Sequence, residues 1–114
     1  MKLRDVVDAV AFKVWTDPGR LDAEVTGGYA SDLLSCVMAK ARRGNLWVTL
    51  QSHPNIVAVA SLHDLAGIII TEGRKPDPKT IDKADEEGVS LMTTEQTTYS
   101  TVARLAELGV TGVE

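Results

Sequence analysis

Cysteine is nearly absent: Cys36 is the only one in 114 residues. A lone thiol excludes an internal disulfide and any cysteine-built zinc cluster. Histidine is almost as scarce. His53 and His63 fall into neither an HxxxxH nor an HExxH spacing, and the carboxylates are scattered, so no metal site and no cofactor is expected. The aromatic residues Phe12, Trp15, Tyr29, Trp47 and Tyr99 are too few and too dispersed for a platform of stacked bases. Positive charge is in deficit, with 12 Lys and Arg against 16 Asp and Glu and a net charge of −4. That balance argues against nucleic acid or an anionic membrane as the main partner. Long apolar runs are missing too: the longest hold about five residues, where a membrane span needs about 20. The opening MKLRDVVDAVAF is broken by Asp5 and Asp8, so it does not read as a signal peptide. The expected compartment is the cytoplasm.

What is present is enough chain for one domain. At 12.3 kDa the chain can bury a core, but it cannot hold a two-domain enzyme with its own interdomain cleft. No long linker, low-complexity tract or internal repeat interrupts it, so residues 1–114 are expected to form a single domain.

Apolar residues at 3, 6, 7 and 10 predict a helix over Leu3 to Ala11, and Phe12 to Trp15 suits a short strand. Asp17-Pro18-Gly19 is a turn signal. The alternation of Leu21, Ala23 and Val25 predicts a strand over Leu21 to Thr26, with Gly27-Gly28 turning from that strand into a helix. Ser31 is the expected N-cap of this helix, whose inward stripe is Leu33, Leu34, Val37, Met38 and Ala41. Cys36 is expected there as a buried, inert thiol. Leu46 to Gln51 reads as a strand, and Asn55 to Leu62 as a short buried helix opened by Pro54. The unbroken apolar run from Ile68 to Thr71 predicts a strand covered on both faces. A helix over Lys79 to Glu87, opened by Pro78, and a strand over Val89 to Met92 follow. The last helix, Thr97 to Leu108, is expected to turn Tyr99, Val102, Leu105 and Ala106 inward, and Val110 to Val113 suits an edge strand. Strands alternating with helices imply an α/β domain, three-layered, with a mostly parallel central sheet.

In open parallel sheets, ligands lie beyond the carboxyl ends of the strands. That rule selects Gly27, Gly28, Ser31 and Asp32; then Gln51, His53 and Asn55; then Thr71, Gly73 and Arg74; and finally Thr93 and Thr94. Gly27-Gly28 can bare backbone N–H groups to an anion, or simply turn the chain. His53 can contact an anion, move a proton, or cap and pack. Arg74 and Lys75 offer a planar fork and a point charge to phosphate or carboxylate, or a solvated loop. Asp32 is the acidic candidate, or else a first-turn carboxylate favoured by the helix dipole. Thr93 and Thr94 are hydroxyl donors or a helix cap. There is no Walker pattern, no GxGxxG and no Ser/His/Asp arrangement, so no catalytic residue is assigned. The set has hydrogen-bonding more than catalytic character.

The stretch VTGGYASDLLSCVMAKARRGNLWVTLQSHPNIVAVASLHDLAGIIITEGRKPD resembles the DRTGG-domain family, and its small stand-alone members most. Gly27-Gly28, Ser31-Asp32-Leu33-Leu34, Trp47, Gln51-Ser52-His53, Asn55, Ala58-Val59-Ala60 and Ile68 to Gly73 carry the resemblance by their order and spacing. The motif that names the family is present only as Thr26-Gly27-Gly28, with Val25 in place of the arginine. The resemblance implies a fold similar to the N-terminal domains of HPr kinase/phosphorylase and of the Mur ligases, which are not the catalytic parts of those enzymes. It implies no catalytic residues to carry over. It also implies a module that accompanies CBS domains in larger proteins, and a stand-alone form found near hydrogenase and redox systems.

The leading expectation is therefore a non-catalytic regulatory or ligand-binding homodimer that takes a small anionic or nucleotide-like ligand. One rival is a small phosphoryl-transfer or transferase accessory enzyme using His53 with Asp32 or Glu72. The other is a scaffold for a protein partner, without a small ligand.

Overall fold

The computed structural model describes residues 1–112. Helix α1 (Leu3–Val10) buries Leu3, Val6, Val7 and Val10, the stripe its spacing predicts. After the short strand β1 (Lys13–Val14), a 3-10 turn spans Pro18–Arg20. The segment from Leu21 to Thr26 is not the expected strand. Its carbonyls instead serve α1: Leu21 O accepts from Arg4 N and Ala23 O from Leu3 N, both at 2.9 Å. These are N–H groups that a helix leaves open in its first turn. Leu21 is buried and Val25 half-buried, so the alternation reflects anchoring of a loop rather than sheet pairing.

The chain then makes β2 (Gly27–Ala30), α2 (Leu34–Lys40), β3 (Asn45–Thr49), α3 (Asn55–Leu62), β4 (Gly67–Ile70), α4 (Pro78–Glu87), β5 (Leu91–Thr93) and α5 (Thr98–Glu107). Gly27 and Gly28 lie inside β2 rather than in a turn. The five strands are ordered β1-β5-β4-β3-β2, with β2 to β5 parallel and β1 antiparallel to β5. Successive strand residues alternate between the two faces. Leu46, Val48, Ile69 and Met92 pack with α1 and Leu105 of α5. Trp47, Ile68, Ile70 and Leu91 pack with Val37, Ile56, Val57, Ala60 and Ala84, from α2, α3 and α4. The result is three layers, with α1 and α5 on one face and α2 to α4 on the other.

Two helical stripes differ from expectation. In α2 only Val37 is fully covered; Met38 and the preceding Leu33 are exposed, and Cys36 is half-buried rather than buried. A short helix over the edge strand β2 has little sheet beneath it to cover. In α5, Thr101 and Leu105 point inward with Leu108 half-buried, while Tyr99, Val102 and Ala106 face out. The Thr101 hydroxyl tolerates burial because it donates to Thr97 O at 2.8 Å, so Thr101 takes the inward place expected of Val102, while Leu105 is inward as expected. Val110 is buried and Thr111 O accepts from Gly28 N at 2.8 Å, but no strand forms through Gly112, and Val113 lies outside the described residues. Among the described residues no helix is long and apolar enough to cross a membrane.

Candidate functional site

The connections after β2, β3 and β4 lead to helices on one face, whereas the connection after β5 leads to α5 on the opposite face. The helices after β4 and β5 therefore lie on opposite faces, although hydrogen bonds tie the two loops to each other. In open α/β sheets a ligand crevice lies beyond the strand ends at such a switch. A groove of about 420 Å³ occupies this place, lined by Gly73, Arg74 and Lys75 from the loop after β4 and by Thr93 to Gln96 from the end of β5 and its loop. Lys13 and Trp15 line its far wall, because antiparallel pairing sets Lys13 beside Thr93.

The groove is built on strained but well-tied backbone. Glu72 and Gly73 both have positive φ, 66° and 71°. Glutamate in this region is uncommon and is sustained only by its surroundings. Here Glu72 N donates to Gln96 O at 2.8 Å, Gly73 N donates to Thr94 O at 3.0 Å, and Glu72 Oε2 accepts from Thr98 N at 2.8 Å. The hydroxyls of Thr71 and Thr98 meet at 2.6 Å. The positive φ favours glycine at 73, where an added Cβ would only push aside the flexible end of Glu95.

Three cations, Lys13, Arg74 and Lys75, line the groove against one carboxylate, Glu95. The Lys13 ammonium sits 4.0 Å from the centre of the Trp15 ring. That ring is fixed by its own Nε1, which donates to Thr93 Oγ1 at 2.8 Å. Gln96 also lines the groove, and its Oε1 is buried with no donor among the described residues. A buried acceptor left open in this way favours a donor from outside the chain.

Of the residues expected from sequence, Gly73, Arg74, Thr93 and Thr94 line the groove. Thr71 is buried just beneath its loop. Asp32 and Gln51 come together elsewhere, as a clasp between the loops after β2 and β3. Asp32 Oδ1 accepts from Thr49 Oγ1 at 2.9 Å and from Leu50 N at 2.7 Å, while Gln51 Nε2 donates to Asp32 O at 3.0 Å. Arg74 ties this clasp to the groove by donating from one guanidinium nitrogen to Leu50 O at 3.2 Å. Ser31 is not the N-cap of α2, which is Leu33; its Oγ accepts from Leu33 N at 3.2 Å in the preceding turn. His53 Nδ1 accepts from Asn55 N at 3.1 Å, which places the ring proton on Nε2. Asn55 is exposed at the start of α3. Gly27 and Gly28 lie apart from the groove. Gly28 borders a wider hollow of about 520 Å³ with Lys40 and Arg42, on the sheet's edge and away from the strand ends.

Lys13 and Trp15 were not anticipated. Lys13 and Trp15 reach the site only through the β1–β5 pairing, a contact across about two thirds of the chain that no local pattern announces. Among the described residues no three metal-ligating side chains converge. The resolved shift in ionisation falls outside the groove: Arg4, hydrogen-bonded to Asp22 at 2.7 Å, holds that carboxyl below its ordinary range and is itself raised.

No curated protein matches the chain. Among solved structures it is similar to the CBS and DRTGG domains of the regulatory region of Clostridium perfringens pyrophosphatase, determined in complex with the activator diadenosine tetraphosphate. The TM-score is 0.73 at 13% identity, over 97% of this chain and 47% of that one. The chain thus spans about half the length of that protein, and at this identity the likeness establishes the fold. The model of the DRTGG domain matches residues 20–108, from the loop before β2 to the end of α5. A match over that much of the chain, carrying all four parallel strands, shows that this protein belongs to the DRTGG domain family.

Proposed function

We propose that the protein is a non-catalytic regulatory module that binds a small anionic or nucleotide-like ligand in the groove between the joined β4 and β5 loops and the β1 wall. The observation that carries this reading is the convergence of Lys13, Arg74 and Lys75 on a crevice at the strand ends, with a single opposing carboxylate. The similar pyrophosphatase region, described as regulatory and as bound to an activator, supports the regulatory part. The polar groups of the rival enzyme reading are already engaged. Asp32 accepts from Thr49 and Leu50, His53 from Asn55, and Glu72 from Thr98. They serve loop backbone and a hydroxyl rather than one another, which is the pattern of structural support and not of a proton-transfer pair.

The proposal includes a homodimer in the cytoplasm, associated with hydrogenase or redox systems as the family resemblance implies. It also retains kinship of the fold with the N-terminal domains of HPr kinase/phosphorylase and the Mur ligases. A protein partner is a second reading, favoured by one observation: Leu33, Met38, Tyr99 and Val102 are large apolar side chains left exposed.

A thermal-shift screen of nucleotides, phosphorylated metabolites and carboxylates tests the ligand reading, since a ligand that binds the folded state raises Tm by mass action. The expected result is a concentration-dependent rise for anionic compounds that Lys75→Ala diminishes. No rise with any anion at millimolar concentration would overturn it.

A further inference from the structure

We infer that the groove takes a condensed phosphate chain of two or more phosphoryl units, either free or carried on a nucleoside. This rests on the reading of the groove as the ligand site and adds the chemistry of what enters it. Lys13, Arg74 and Lys75 oppose only Glu95, so the lining carries two uncompensated positive charges. The cations come from separate places: Lys13 from β1, Arg74 and Lys75 from the loop after β4. A single carboxylate does not neutralise such a lining, and a sulfate matches its charge only as one compact group, whereas a polyphosphate matches the charge and can touch both walls. The cavity of about 420 Å³ is within the range of pockets for whole small molecules, far roomier than one anion requires.

The donors are also of the required kind. Lys13 is held over the fixed Trp15 ring, so its ammonium is positioned before any ligand arrives. Arg74 spends one nitrogen on Leu50 O and keeps the rest of its fork. The backbone N–H groups of Lys75 and Glu95 donate to no acceptor among the described residues. The open Gln96 Oε1 adds an acceptor, which suits an amino or hydroxyl donor on a nucleoside better than a bare phosphate chain.

The experiment is isothermal titration of the intact chain, without divalent cations, using inorganic triphosphate, ATP, AMP and adenosine as probes. Trp15 fluorescence gives a parallel signal, because Trp47, the other indole, is fully buried. ATP or triphosphate is expected to bind at least about tenfold more tightly than AMP, and adenosine not at all; each charge-assisted contact is worth roughly that factor. Lys13→Met and Lys75→Ala should each weaken ATP by about tenfold while leaving Tm of the free protein unchanged, and both keep the backbone donors. Comparison of ATP with triphosphate identifies the carrier: tighter ATP, lost in Gln96→Leu, assigns a nucleoside, and equal affinity assigns a free chain. AMP binding as tightly as ATP, or ATP binding unchanged in both lysine variants, overturns the inference. If other anions still raise Tm in the wild-type chain but not in Lys75→Ala, the ligand reading survives that failure; if nothing binds, both fall.

Discussion

Single residues here divide into those that hold loops and those left open toward a ligand. Asp32 belongs to the first group. Its carboxylate satisfies the buried Thr49 hydroxyl and the Leu50 N–H, so Asp32→Ala leaves two donors without their acceptor. The expected cost is about 1–3 kcal/mol, read as a lower urea midpoint with unchanged slope. Gly73 is constrained by its φ of 71°. Gly73→Ala should therefore destabilise by about 1 kcal/mol or more and distort the groove, checked by denaturation and by loss of any ligand-induced Tm rise. Asp22 reports on pH. Its carboxyl is held below the ordinary value of 3.8 by the hydrogen bond and charge of Arg4. The folded state then binds this proton less readily than the unfolded chain, so the pair's contribution is full above that ordinary value and fades as pH falls below it. Asp22→Asn should flatten the acid limb of the stability curve below about pH 4, and an unchanged limb would show that the pair contributes nothing there.

At the scale of elements, legibility followed periodicity and failed where contacts were distant. Helices α1 and α4 and strand β4 were readable because their apolar spacing or β-branched runs match one geometry, and α3, whose periodicity is weak, because Pro54 suits a first helical turn. The alternation at Leu21 to Val25 mimicked a strand, although those residues anchor a loop on α1. The glycines of β2 looked like a turn because glycine is a weak strand former; an edge position beside β3 accommodates them. The stripe of α5 was misjudged because an internally bonded threonine replaced the expected apolar residue. In the site, the strand-end rule found Gly73, Arg74, Thr93 and Thr94 but could not see where the connections switch faces. That depended on α5 crossing to the face opposite α4, a property of packing. The central strands carry the core. Ile69, fully buried among the side chains facing α1, offers the simplest check: Ile69→Ala should cost about 2–5 kcal/mol, measured by denaturation.

For the whole molecule, charge and apolar surface point in different directions. The net charge of −4 coexists with a groove whose lining is cationic, so the acidic total says little about what the groove attracts. Among the described residues, four of the exposed large apolar side chains lie on the two helices nearest the β2 edge, Leu33 and Met38 at α2 and Tyr99 and Val102 on α5, while Leu62 at the end of α3 and Met1 lie elsewhere. A shallow hollow lined by Tyr29, Val102 and Leu105 lies between that edge and α5. Self-association through this side would cover apolar surface on both faces of one sheet edge, leaving the groove beside β1 and β5 at the opposite edge free. Light scattering at micromolar concentration should therefore give twice the 12.3 kDa chain mass. Tm should rise with protein concentration, as mass action requires of a dimer that stabilises its fold. Met38→Glu combined with Tyr99→Glu should halve the mass without preventing folding, because both side chains are already solvent-exposed in the single chain. A wild-type species of one chain mass with a concentration-independent Tm would refute the dimer, and it would leave the apolar side as the surface for a protein partner.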